Sequence, residues 1–324
     1  MNHTQQLVPR AVTPRFTVGF YALRVQASSQ IDGNVYFYLY CSLNFVSLCL
    51  GFIGNIFIVC VMLTERLRRR SYSRFFFCLA LSDTVILAYQ LCIFLNVVSY
   101  YFFGIGIIPL NGYISCCFYE YTVTTCTFSP YVLVIISTER LSVIHFPFTA
   151  KRFWTLKHNS VWMIGLLFVI CSLYSFVWWE IAYVRDMGCI FTSPIVYSYY
   201  MSIGPAITAF IPTFILMLTT SAIIISLRTN KIKTLKSSSA SKQATVMILA
   251  TSIFFLITIC PLCTIAVLMT LHSGDSFNES FNVPYKIAST LFSLNYSANF
   301  YIYLLTGKEV RDSAKQLICC TKSR

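Results

Sequence analysis

Asp83 stands in the stretch FCLALSDTVIL, a carboxylate within an apolar run. A charge at mid-membrane depth costs several kcal/mol on most scales, so such a residue marks function by default. Asn55 in GFIGNIFIV, Ser129 in CTFSPYV, and Asn295 and Asn299 in SLNYSANFYIY interrupt other apolar runs. Counted at about 1.5 Å per helical residue, Asp83 lies about 15 Å from the start of its run. Asn55, Ser129 and Asn299 lie about 13, 16 and 10 Å from the same end of theirs. These depths nearly coincide and imply one internal polar cluster, toward which Asn295 and Asn299, at i and i+4, present amides on one helix face. A carboxylate among hydroxyl and amide oxygens suits a hard cation such as Na⁺, or a proton. The plainer alternative for each Asn or Ser is a hydrogen bond between helices.

A second chemical feature is Glu139 beside Arg140 in IISTERLSVIHFPF. An acid and a guanidinium at a membrane boundary form a local ion pair that leaves the guanidinium free to change partner when helices move. The plainer reading is an arginine that reaches for the headgroups beside an incidental acid. No enzymatic constellation is present in the sequence. His3, His145, His158 and His272 are scattered without metal-ligand spacing. Cys260 to Cys263 spells CPLC, which has redox spacing but sits on an apolar helix, where cysteine packs as a small hydrophobe.

The chain that positions these residues has 324 residues, of which 57% are hydrophobic, 16% aromatic and 11% charged. Soluble domains carry about a quarter charged residues, so this composition belongs in a bilayer. Seven segments suffice to cross about 30 Å of hydrocarbon. They fall at about 36–63, 73–98, 114–142, 159–182, 197–227, 241–271 and 284–306. Nineteen of the 24 basic residues follow segments one, three, five and seven, and Lys and Arg are retained on the cytoplasmic side. The N-terminus is therefore expected outside, and the net charge of +13 is an attraction to anionic inner-leaflet lipid. It does not call for a nucleic acid. The polar first 30 residues show no cleavable signal peptide, so segment one is expected to act as its own signal-anchor. Asn2 and Asn278 head sequons that fall outside in this topology and are expected glycosylation sites. Pro205, Pro212 and Pro261 imply kinks whose freed carbonyls must find other partners. A proton or ion path is the competing function for buried Asp83, and against it stand the single buried acid and the absence of internal repeats.

Taken in order, these residues resemble the rhodopsin-like (class A) G protein-coupled receptors over about 36–320. Gly54-Asn55 is similar to the segment-one signature, and Leu79 to Asp83 matches LAxxD. Thr138 to Arg140 resembles the (D/E)RY motif, Phe255 with Pro261 part of FxxCWxP, and Asn299 to Tyr303 NPxxY. GKEVR followed by Cys319-Cys320 resembles the amphipathic eighth helix with its palmitoylation site. Phe300 stands where the family usually has proline, Ile259 where it has tryptophan, Thr220 where segment five often has tyrosine, and Leu141 follows the arginine.

The resemblance implies an all-α fold, a seven-transmembrane helix bundle with a short amphipathic eighth helix. Residues 1–35 form an outer tail, 36–306 the bundle, and 307–324 the eighth helix and cytoplasmic tail. It implies a non-enzymatic plasma-membrane receptor with an allosteric sodium site at Asp83, Ser129, Asn295 and Asn299. A heterotrimeric G protein would couple through Glu139, Arg140, Ile144, Pro261, Asn299 and Tyr303. An outer disulfide would join Cys189 to Cys116 or Cys117. Cys116 is preferred because the family's usual position falls on Ser115. Thr122 stands where amine receptors carry aspartate and Ser293 where opsins carry the retinal lysine, which leaves a peptide or a chemosensory ligand. The closest likeness is to invertebrate FMRFamide-type neuropeptide receptors. Glu120, Thr122, Val123, Cys126 and Lys286 are then the expected ligand contacts.

Overall fold

The computed structural model describes residues 34–70, 72–105, 113–184, 188–191, 193, 195, 203–204, 206–228, 239–271 and 275–319. Long apolar runs rich in Leu, Ile, Phe and Val form helices, because only a helix satisfies every backbone group in lipid without a neighbour. Helix α1 spans Asn34–Met62, α2 Ser73–Phe103, α3 Tyr113–His145 and α4 Leu156–Glu180. A π-helical turn, Ala206–Phe210, leads into α5, Ile211–Arg228. Helix α6 spans Ser239–Leu271, α7 Asp275–Thr306 and α8 Lys308–Cys319. Two short helices, Glu65–Arg68 and Pro147–Phe153, lie in connections. The one departure from an all-helical chain among the described residues is a hairpin. Strand β1, Ile181–Val184, pairs antiparallel with β2, Gly188–Phe191, and Tyr183 faces Cys189.

Six of these helices are long and apolar enough to cross a membrane. The seventh, α7, spans 32 residues, about 48 Å at 1.5 Å per residue. Its composition explains why it falls short by hydropathy: DSFNESFNVP begins it, and Ser289, Ser293, Asn295, Ser297 and Asn299 follow on its inward side. The sequence places its start near Pro284, whereas the helix begins at Asp275 and carries Pro284 within it. Gly104 closes α2 with φ 68°, the left-handed conformation that glycine adopts without strain, and its N–H bonds the Tyr100 carbonyl at 3.0 Å.

The helices form a ring in which α7 packs between α1 and α6, α1 against α2, and α3 runs through the middle against α2, α4, α5 and α6. Phe75, Phe76, Leu79, Leu133, Ile136, Phe255 and Tyr303 fill the core. Phe168, Ile164 and Leu305 point outward, 73%, 70% and 80% exposed, which suits hydrocarbon and not water. The basis of the α1–α7 seam is steric. A Cβ on Gly51 would meet Leu87 and Ser297 at 2.6 and 2.8 Å, and one on Gly54 would meet Phe300 at 3.1 Å. Glycine at both lets the backbones approach. Ser47 and Ser297 hydroxyls bond at 2.8 Å, Asn55 Nδ2 donates to the Tyr296 carbonyl at 3.2 Å, and Tyr301 donates to the Leu50 carbonyl at 3.1 Å. Phe57 stacks on Phe300 with centroids 5.4 Å apart.

Two proline-related features shape α3 and α5. Pro130, which the sequence reading did not single out, sits inside α3 beside Ser129 and removes the donor for the Cys126 carbonyl. The π-turn of α5 loosens the backbone ladder, and Tyr131 Oη on α3 donates to the Ile207 carbonyl at 3.0 Å. Thr127, Tyr174 and Thr208 hydroxyls converge next to it, with Thr127–Tyr174, Thr127–Thr208 and Tyr174–Thr208 separations of 3.2, 3.1 and 2.7 Å. Helices α3, α4 and α5 are thereby joined.

Candidate functional site

Asp83 is fully buried on α2. Ser129 Oγ, from α3, donates to its Oδ1 at 2.9 Å, and Asn299 Nδ2, from α7, donates to its Oδ2 at 2.7 Å. Three helices thus meet at one carboxylate. Asn295 is buried one turn from Asn299, and its Oδ1 has no hydrogen-bond partner among the described residues. The same is true of Asn299 Oδ1 and Asn55 Oδ1. Asn55 lies in the α1–α7 seam and does not reach Asp83. Ser82 adds a 3.4 Å bond to the Thr125 carbonyl, and Gln90 Nε2 donates to Ser293 Oγ at 2.9 Å nearer the hairpin end. Among the described residues no three of His, Cys, Asp and Glu gather to hold a metal ion. Asp83 thus meets the Ser129 hydroxyl oxygen and the Asn299 amide nitrogen, and its own carboxylate oxygens and the hydroxyl oxygen are hard donors.

The second centre lies at the α8 end of the bundle. Glu139 and Arg140 are 1% and 5% exposed, and Arg140 Nη2 donates to Glu139 Oε2 at 3.3 Å. The pair forms between neighbours in sequence, so it holds the guanidinium in place without tying α3 to another helix. The Arg140 Cζ also lies 5.2 Å from the centroid of the Tyr72 ring. Tyr303 is fully buried, its ring 4.4 Å from that of Phe76. Ser137 on α3 and Ser252 on α6 bond at 3.2 Å. Ile144 is half-buried on the last turns of α3 and Pro261 is half-buried inside α6.

Of the expected ligand contacts, Thr122 is buried on α3. Cys126, one turn on, packs against the buried cluster of Leu48, Ile86, Leu87 and Tyr296, while Val123 packs against the main core. Glu120 lies on α3, and Lys286 and Asn278 on α7, but their side chains lie outside the described residues. The side chains of Cys116, Cys117 and Cys189 do too, although the strands of the hairpin contact α3. Asn2 and Cys320 fall outside the described residues, and Cys319 is the last residue of α8. The sequence reading missed Tyr72, Glu309 and Phe148. Tyr72 Oη donates to Glu309 Oε2 at 3.0 Å and Arg70 Nη2 to Glu309 Oε1 at 2.7 Å. Phe148, on the short helix after α3, is 92% exposed.

Six helices apolar enough to cross a membrane and the long α7 form a ring with a buried acid and a buried arginine inside and α8 packed against α1 and α7, which is consistent with a membrane receptor. The family model for the seven-transmembrane receptors of the rhodopsin family matches residues 54–303, and the chain belongs to that family. Comparison with curated proteins gives no match.

Proposed function

We propose that the chain is a plasma-membrane receptor, N-terminus outside, activated by a peptide and signalling through a heterotrimeric G protein at its α8 end. The observation that carries this reading is the buried Glu139–Arg140 pair at 3.3 Å, set at the end of the bundle where basic residues crowd. Of the basic residues in described segments, Arg68, Arg69, Arg74, Lys151, Arg152 and Lys157 flank that end, which supports its cytoplasmic placement. A G protein would offer an amphipathic helix to a groove walled by Arg140, Ile144 and Tyr303 and the ends of α5 and α6. Exposed Phe148 supplies an apolar contact beside it.

Asp83, Ser129, Asn295 and Asn299 would hold Na⁺, which would balance the Asp83 charge and favour the resting packing of α2, α3 and α7. Buried amide oxygens without donors, Asn295 Oδ1 and Asn299 Oδ1, support that fit, since a cation supplies what a donor would. The ligand would enter at the hairpin end and meet Glu120, Thr122, Val123, Cys126 and Lys286. An acid at Glu120 suits a cationic peptide group. Cys189 would bridge Cys116, Asn2 and Asn278 would be glycosylated, and Cys319 and Cys320 palmitoylated. A ligand drives the change only by its difference in affinity for the two states.

The test is a panel of amidated peptides, including FMRFamide-like ones, applied to cells expressing the chain, with G protein activation as readout. Activation by a peptide, lost in Arg140→Ala at equal surface level, supports the reading. Silence across the peptides with a response to odorants or lipids moves the ligand class to a small molecule. Ion flux through the purified, reconstituted chain contradicts the receptor reading.

A further inference from the structure

Arg140 has partners that its own helix does not supply. No acidic residue occurs between Asp186 and Asp275, so neither α5 nor α6 nor their connection offers Arg140 a carboxylate. Only Glu65, Glu139, Glu309 and Asp312 carry acid in the segments at the α8 end. Two of the four are gathered around Arg140, one directly and one through an aromatic ring.

Tyr72 precedes α2 and is 5% exposed. Its face lies toward the Arg140 guanidinium, 5.2 Å from Cζ to centroid, and a cation over a desolvated ring is attracted by the ring quadrupole. Its hydroxyl donates to Glu309 on the first turn of α8 at 3.0 Å. Donation to a carboxylate pushes electron density into the phenol, which strengthens the attraction of its face for a cation. Burial, then the Glu309 charge, raises the Tyr72 pKa well above the ordinary phenol value, so the hydroxyl stays a donor at every physiological pH. Glu309 is itself fixed. Its second oxygen accepts from Arg70 at 2.7 Å, and α8 is pinned by Arg311 Nη1 donating to the Leu304 and Leu305 carbonyls, both at 2.8 Å. Val310 and Ala314 are buried in the core. The Arg70 side chain is 41% exposed, so its ion pair is screened and the buried Tyr72 bond carries the link.

We propose that Tyr72 and Glu309 are positioning residues for Arg140: α8 and the loop before α2 hold the guanidinium in its resting place, and this contact sets the threshold for activation. The inference rests on the proposed function, in which the Arg140 guanidinium changes partner as the helices move. It assigns to α8 the restraint that no carboxylate on α6 supplies. Helix α6 is held to α3 here by the Ser137–Ser252 hydroxyl bond, a weaker tie than a buried charge contact.

The experiment uses the full chain in membranes of cells that co-express each class of Gα in turn. Ligand-independent nucleotide exchange is normalised to surface level for Tyr72→Phe, Glu309→Gln, the double variant, Arg70→Gln and Arg140→Ala. In parallel, spin labels on non-canonical residues at exposed Lys157 and Val246 report the distance between α4 and α6 at the α8 end. We expect Tyr72→Phe and Glu309→Gln each to raise basal exchange roughly fivefold or more, within the usual range of coupling between sites. The double variant should match the larger single effect, Arg70→Gln should show a smaller rise, and the label distances should lengthen in parallel. Unchanged exchange and distances in both single variants, beside a silent Arg140→Ala, overturn the positioning role while sparing the reading of Arg140. Additive single effects also overturn it, as does a fall in surface level without a distance change, which marks a merely structural role. Wild-type exchange by Arg140→Ala overturns the reading of Arg140 and this inference with it. If no Gα responds, the distances decide, and an unchanged distribution overturns the proposal.

Discussion

Gly51→Ala should destabilise the bundle, although the same exchange on a lipid-facing helix should stabilise it. An alanine Cβ at position 51 would sit 2.6 and 3.2 Å from the two Leu87 methyls and 2.8 Å from Ser297 Oγ. Carbon contacts are optimal at about 3.5–4.0 Å, so Leu87 must rotate and Ser297 must give up its 2.8 Å bond with Ser47. Overpacking costs about 1–3 kcal/mol, and the lost hydroxyl bond about 0.5–1.5 kcal/mol. Against this, alanine gains up to about 1 kcal/mol in helix propensity. The net loss is about 0.5–3.5 kcal/mol. Gly165 on α4 has nothing within 4 Å of a built Cβ, so Gly165→Ala keeps only the gain of about 1 kcal/mol. Thermal inactivation of the detergent-purified protein reads both variants against wild type. A lower midpoint for Gly51→Ala with an equal or higher one for Gly165→Ala is expected. If Gly51→Ala is as stable as wild type, the close α1–α7 seam is wrong, and with it the placement of Asn295 and Asn299 that the seam imposes.

Tyr131→Phe removes the donor to the Ile207 carbonyl and should cost about 0.5–1.5 kcal/mol, read as a lower thermal midpoint; no change would mean that the π-turn satisfies its carbonyl elsewhere. Phe148→Ala should reduce the rate of agonist-driven nucleotide exchange while leaving the thermal midpoint unmoved, because the ring is 92% exposed and packs against nothing that α3 needs. A fall in the midpoint with normal exchange would remove it from the coupling surface.

Depth along the runs puts Asp83, Ser129 and Asn299 at one level, but helix rotation decides which of them meet: Asn55, at a similar depth, turns into the α1–α7 seam instead. Depth did not separate Asn295 from Asn299. Helical spacing of i and i+4 gives a shared face, but which amide reaches the carboxylate depends on the rotation of α7, which the seam with α1 sets through Gly51 and Gly54. The start of α7 was misjudged because DSFNESFNV is polar and Pro284 reads as a first-turn residue, whereas the helix runs through it. Of the prolines near segment five, Pro212 lies just after the π-turn whose Ile207 carbonyl takes the Tyr131 hydroxyl, and Pro205 lies outside the described residues. Pro130 follows the polar stretch Thr124, Thr125, Thr127 and Ser129 and lies inside α3 without ending it. Tyr72 and Glu309 could not be read at all. They are 237 residues apart in sequence, lie outside the spans, and carry no periodicity that would pair them.

The proposed cation site is the buried carboxylate shared by α2, α3 and α7. Thermal inactivation of the purified receptor in NaCl against KCl at equal ionic strength, for wild type and Asp83→Asn, tests it without needing a ligand. A site filled to ten times its dissociation constant stabilises by about 1.4 kcal/mol. Wild type should therefore hold a higher midpoint in NaCl, and Asp83→Asn should show none of this difference while remaining folded, since an asparagine there can still bond Ser129 and Asn299. An equal midpoint in both salts for wild type, or a sodium effect that survives in Asp83→Asn, would contradict the account.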